Sequence, residues 1–190
     1  MNVGCRLFRI YDPRSMYEPG PRTFRFNGPR GRFDHHRAAG TTPAHDPGRG
    51  IYYTALSLEG TVVEVFGDPP RLIERGTYRL VRSRLRRPVA LLDLRGRGAM
   101  LAGIATGISG TETRALTQSW ARYFYENPHV YGRFDGLLYS NSHNAMNATA
   151  LFERAMPAVR HAIQSIIRLA NPRLEPELLR IADDNGLTLA

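Results

Sequence analysis

The chain has 190 residues and a mass of 21.4 kDa, enough to bury a hydrophobic core within one domain. Hydrophobic residues make up 42% and charged residues 23%, which excludes an intrinsically disordered chain, and no run approaches the ~20 apolar residues of a membrane helix. Its 26 basic residues, every one an arginine, stand against 17 acidic ones for a formal charge of +9, while a single cysteine, Cys5, excludes an internal disulfide and a cysteine metal site.

Arg6-Leu7-Phe8-Arg9-Ile10-Tyr11 alternates as a short strand does. Residues 12–50, rich in Gly, Pro and Arg, predict loop and turn. Gly50-Ile51-Tyr52-Tyr53-Thr54, β-branched and aromatic after a glycine, predicts a second strand. Ser57 is placed to cap a helix from Leu58 to about Phe66, with Val62, Val63 and Phe66 on its apolar face and Gly60 as a weak point. Pro69-Pro70 breaks the chain. The alternation over residues 77–82 and the apolar run over 89–94 predict two more strands, and residues 96–110 predict irregular chain. Ser109-Gly110-Thr111-Glu112 fits a capping box, with Thr111 as an alternative cap, for a helix to about Glu126 that turns Ala115, Leu116, Trp120 and Phe124 to the core. Asp135 to Ser140 reads as a turn entering a strand, and Ala150-Leu151-Phe152 as another strand. Residues 158–170 fit strand or helix equally. A last helix opens at Glu175-Pro176-Glu177 and ends at Asn185-Gly186. Strands and helices out of strict alternation predict an α+β fold, with short mixed or antiparallel sheets and a few helices. With no internal repeat and no low-complexity linker, residues 1–190 read as a single domain. The N-terminus lacks an apolar signal segment, so a cytoplasmic protein without a membrane partner is expected.

No Walker-type loop, Gly-x-Gly-x-x-Gly or His-Glu-x-x-His occurs. His35-His36, with Asp34 and His45, matches no standard metal spacing, so these histidines read as solvated loop residues and no metal is expected. The arginines form one local knot, Arg82, Arg84, Arg86 and Arg87, but are otherwise spread along the chain, which argues against a nucleic-acid binding module. What remains is Arg9, Arg25, Arg32, Tyr53 and Glu64. Periodicity alone leaves Glu64 either on the polar face of its helix or projecting into a cleft. The set suits a nicotinamide dinucleotide. Arginine forks take a pyrophosphate, tyrosine stacks on a flat ring, and a carboxylate offsets the positive charge that develops on a ribose losing its base.

These residues resemble the RES domain family, named for an arginine, a glutamate and a serine. Its opening pattern resembles Arg6-Leu7-Phe8-Arg9, and its Gly-Gly-Arg-Trp-Asn block resembles Arg30-Gly31-Arg32-Phe33-Asp34. Its Ile-Tyr-x-Ala and Val-Glu-Val resemble Tyr52-Tyr53-Thr54-Ala55 and Val63-Glu64-Val65, and its late blocks resemble Asp135 to Ser142 and Ala150-Leu151-Phe152. The motif-bearing part is thus about 6–154, with a C-terminal strand and helix extension over 155–190. The resemblance implies a fold like the diphtheria-toxin-like ADP-ribosyltransferases. It implies an enzyme that cleaves NAD with water or inorganic phosphate as acceptor, NAD being substrate rather than cofactor, or alternatively one that transfers ADP-ribose to a protein. It also implies a toxin held by an Xre-type helix-turn-helix antitoxin. Carried over, Glu64 is the key carboxylate, Arg9 and Arg32 grip the dinucleotide, and Tyr53 stacks beside the nicotinamide. Phe33 and Asp34 depart from the family's Trp and Asn. The stretch from Asp34 to Gly50 is longer than usual, so Arg25 competes with Arg32. Counted from Tyr139 the family serine falls on Asn141, flanked by Ser140 and Ser142; Ser142 is favoured as the catalytic position.

Overall fold

A computed structural model describes residues 1–37 and 42–190. In chain order it forms β1 (Arg6–Tyr11), β2 (Asn27–Gly28), β3 (Ala44–His45), β4 (Ile51–Ala55), α1 (Leu58–Phe66), β5 (Leu72–Ile73), β6 (Arg79–Arg84), β7 (Leu91–Asp93), α2 (Gly96–Leu101), α3 (Arg114–Glu126), α4 (Pro128–Tyr131), β8 (Gly136–Ser140), β9 (Asn147–Phe152), α5 (Met156–Arg160), β10 (Ile163–Arg168), α6 (Glu175–Asn185) and β11 (Thr188–Leu189). This is the α+β class expected from the strand and helix order. Seven strands share one sheet in the order β10-β6-β1-β4-β9-β8-β7. Its pairs are antiparallel except β7–β8, which runs parallel because α2, α3 and α4 carry the chain back between those two strands.

The two-residue period of the strands distributes the core. Ile51, Ala148, Ala150, Phe152, Leu137 and Tyr139 face one layer, closed by Ala121 and Phe124 of α3. Tyr52 and Leu151 point the other way and pack with Leu7 and Val159. A third cluster joins Ile10 and Leu80 to Val62, Val63 and Phe66 of α1 and to Leu178 and Ile181 of α6.

Helix α1 forms as expected. The Ser57 hydroxyl accepts from the Gly60 N–H at 2.9 Å, which satisfies one of the free donors of the first turn. Gly60 is a packing requirement rather than a weak point. A Cβ there would lie 3.0 Å from Ser57 Oγ and 3.3 Å from the Cβ atoms of Ala55 and Met146, so the missing side chain lets the helix settle against β4. At the other end of the chain, Gly186 closes α6 in the left-handed conformation, φ +63°.

Three expectations change, and one left open is resolved. The Ser109–Glu112 capping box does not form. Ile108–Gly110 is a 3-10 turn and α3 starts later, at Arg114, without a side-chain cap. Its core face is Thr117, Ala121 and Phe124, leaving Ala115 and Leu116 exposed and Trp120 half-buried. The helix is rotated because the Thr117 hydroxyl turns inward to donate to the Arg32 carbonyl. Residues 96–110, expected to be irregular, contain α2. Residues 158–170 satisfy both readings in succession, the end of α5 and then β10.

Candidate functional site

A cleft of about 280 Å³ opens where β1, β4, α1 and the start of α3 meet. Arg9, Arg25, Arg32, Tyr53, Glu64 and Ser142, separated by up to 133 positions in the chain, all line it.

Glu64 stands on the flank of α1, one residue beyond the buried Val63. Its Oε1 accepts from the Tyr139 hydroxyl at 3.0 Å, while Oε2 is buried without a partner. Burial raises the Glu64 carboxyl above its ordinary range, against the Tyr139 hydrogen bond and the nearby His143 and Arg32. The Tyr139 hydroxyl, pushed well up by burial and by Glu64, remains a donor at any working pH. One carboxylate oxygen is therefore positioned and the other uncommitted.

Arg32 is delivered by a loop gripped from α3 and its preceding turn. Its Nη1 donates to the Thr111 carbonyl, Thr117 holds its own carbonyl, and Gln118 Nε2 donates to the Gly31 carbonyl at 2.9 Å. Gly31 is required by close approach, since a Cβ would sit 2.6 Å from the Tyr53 hydroxyl oxygen.

Arg25 has a different situation. It donates to both Asp34 oxygens at 2.8 and 2.9 Å, to Glu18 at 2.6 Å and to the Asn27 carbonyl at 2.7 Å. Asp34 is fully buried and also accepts from the Arg30 and Gly31 N–H groups and from the Tyr53 hydroxyl. Burial alone would raise its carboxyl, but Arg25 and these donors hold it below the ordinary value. The departure from the family's Asn thus supplies a counter-charge for Arg25. Arg9 is committed in part, its two Nη atoms having acceptors and its Nε being buried with none among the described residues. It bonds Glu18 at 2.5 Å and the Tyr53 carbonyl at 3.2 Å, with its guanidinium 4.3 Å over the Tyr52 ring. Glu18 thus bridges Arg9 and Arg25, and the two guanidinium groups are balanced by two carboxylates. Arg32 has a backbone carbonyl as its hydrogen-bond acceptor and no ion pair among the described residues. Geometry therefore distinguishes the two competing arginines: Arg25 is held by two carboxylates, whereas Arg32 donates to a backbone carbonyl at the cleft.

Of the three candidates for the serine position, Ser142 lines the cleft. Asn141 is buried and its Oδ1 accepts from the His143 and Asn144 N–H groups, so it shapes the turn after β8. Ser140 lies on β8 opposite Asn147, outside the cleft. Sequence reasoning missed Glu18, Asp68, Arg114 and His143, which also line it. Asp68 stands 3.7 Å from both Arg114 and His143 and links them at the mouth. Its spacing of four from Glu64 was the available signal; Glu18 carried none.

The reading of His35 and His36 as solvated is corrected. Both are buried, and burial holds both below the ordinary histidine value, His36 down to about 4. His35 Nε2 lies 3.0 Å from Glu153, whereas His45 is exposed on β3. Among the described residues, no three His, Cys, Asp or Glu side chains are grouped to hold a metal ion.

Residues 6–174 match the family described as RES domain. A relative described as probable toxin y4kH, from Sinorhizobium fredii, is 28% identical over 110 residues, covering 55% of this chain and 77% of that protein. Among solved structures, a chain in the crystal structure of the M. tuberculosis MbcT-MbcA toxin-antitoxin complex has a TM-score of 0.61 at 14% identity, covering 93% of this chain and 90% of that one. At that identity the likeness is one of fold.

Proposed function

The chain belongs to the RES domain family, and we propose that it is the toxin of a toxin-antitoxin pair that acts by cleaving the nicotinamide–ribose bond of NAD. The observation that carries this reading is Glu64: a buried carboxylate with one oxygen fixed and one free, in the same cleft as the Arg32 guanidinium, which has no ion pair among the described residues.

In this reading the bond between ribose C1′ and the nicotinamide nitrogen breaks with its electron pair leaving on nitrogen. The ribose acquires positive charge, which the Glu64 carboxylate, itself largely shielded from solvent, offsets. An oxygen of water or inorganic phosphate then forms the new bond to C1′, and an attacking water releases its proton to solvent. The pyrophosphate goes to Arg32, because Glu18 and Asp34 already neutralise Arg9 and Arg25 and Asp68 stands 3.7 Å from Arg114. Tyr53 offers its ring to the nicotinamide end, its hydroxyl being held by Asp34. Ser142 supplies a hydroxyl at the cleft wall.

The direct test is to mix the protein with NAD and follow free nicotinamide, with and without phosphate. Release in either condition is expected, and none in both would end the proposal. Labelled NAD incubated with cell lysate separates the alternative, since label retained on a protein band means ADP-ribose transfer. The inhibitory partner in this reading is an Xre-type antitoxin.

A pH prediction follows from Tyr139. The reaction needs ionised Glu64, so activity falls as pH drops through its raised pKa. Tyr139→Phe removes the donor that opposes burial and raises that pKa further. The acid limb of the pH–rate profile is expected to move to higher pH; an unmoved limb would show that the Tyr139 hydrogen bond does not set it.

A further inference from the structure

We propose that a second groove, distinct from the cleft, binds a phosphomonoester attached to a flat ring, the chemistry of a nucleoside monophosphate. The groove measures about 680 Å³ and is floored by β1, β6 and β10. Arg6, Phe8, Arg82, Arg84 and Gln164 line it, with the start of α1 on one side and Glu177 of α6 at its edge.

Strand register sets its chemistry. Arg6 pairs directly with Arg84, and Phe8 with Arg82, so the four side chains form a square on one face of the sheet. Side chains directly opposite in such a pair stand ~5 Å apart at Cβ, and like charges there destabilise the sheet. Among the described residues, none of the three arginines has a carboxylate within ion-pair distance, although Arg9, Arg25 and Arg95 all do. Arg82 Nε is in addition shut off from solvent with no acceptor. A donor left in this state lacks a partner that a bound anion would supply. The pairing of β10 with β6 slips between Ile163 and Ser165, which makes Gln164 the extra residue and turns another polar side chain into the groove.

Three forked cations on one face of the sheet, at neighbouring register positions, suit a single dianionic phosphate rather than a strand whose charges are spaced along a track. The half-buried ring of Phe8 lies beside them as a stacking surface. Glu177 at the edge accepts from sugar hydroxyls and repels a longer polyanion. Arg82 and Arg84 are half of the arginine knot seen in the sequence, so its purpose here is a compact anion site. This inference does not depend on the NAD reading.

The test is calorimetric titration of the whole protein with AMP, inorganic phosphate and adenosine. AMP is expected to bind more tightly than either of the others. Arg6→Ala/Arg84→Ala is expected to weaken AMP by ~30-fold or more, two charge-assisted contacts being lost. Arg133→Ala, an exposed arginine that lines neither the groove nor the cleft, is expected to leave AMP affinity within ~2-fold. Arg6 and Arg84 are exposed, so the double variant folds, which circular dichroism checks. AMP binding of unchanged affinity in the double variant, or an equal loss in Arg133→Ala, overturns the proposal. So does an absence of AMP binding by the unaltered protein. Phosphate binding as tightly as AMP would remove the flat ring from the ligand class and overturn the proposal in that form.

Discussion

Glu64→Gln is expected to lower the rate of nicotinamide release by ~100-fold or more while the protein melts as before. The substitution keeps the shape of the side chain and an oxygen to accept from Tyr139, whose hydroxyl lies 3.0 Å from Oε1. It removes the negative charge, and the position now held by the unpartnered Oε2 becomes an amide N–H pair. Charge stabilisation of the ribose is lost although the cleft is intact. Retained activity would mean that another carboxylate of the cleft, Glu18 or Asp68, performs the role. A parallel fall in stability would mean that Glu64 is structural.

The largest effect on stability is expected at Asp34, which lines no part of the cleft and yet holds its arginine loop. Asp34→Asn places an amide where two oxygens accept from Arg25, and at least one Arg25 donor then faces N–H groups instead of an acceptor. Removing one partner of a buried ion pair costs ~3–5 kcal/mol, which for a chain of this size lowers the melting temperature by on the order of 10 °C. The sign of the pH dependence follows from the direction of its pKa. The Asp34 carboxyl titrates below its ordinary value in the folded chain, so its contribution is complete at neutral pH and disappears as pH falls through that lowered value. The difference between the two proteins in chemical denaturation is therefore expected to be widest near neutrality and to narrow in acid. Equal stability at pH 7 would show that Glu18 and the Asn27 carbonyl suffice for Arg25. Tyr53 and Gly31 bond the same carboxylate, so the variant is also expected to lose activity through a loosened loop.

Elements whose signals are local were legible. Ser57 capped the predicted helix because the serine competes for the free N–H of its own first turn, a contact three residues away. Strands β1, β4 and β9 were legible because alternation and β-branched runs act within a few residues. The core face of α3 was not, because Thr117 is turned inward by a carbonyl 85 positions earlier, which no helical period contains. For the same reason the buried state of His35 was hidden: its partner, Glu153, is 118 residues away.

The candidate site divides in the same manner. By itself the sequence determined the α+β class and offered the candidate set Arg9, Arg25, Arg32, Tyr53, Glu64 and Ser142, because residue type fixes charge, donors and acceptors. Only the tertiary structure decided which of those groups are free. Arg25 and Arg32 are chemically identical and seven residues apart in the chain, but one is surrounded by acceptors and the other opens to the cleft. Availability depends on where the counter-charges Glu18 and Asp34 come to lie, and that is set by the packing of distant segments rather than by the order of residues.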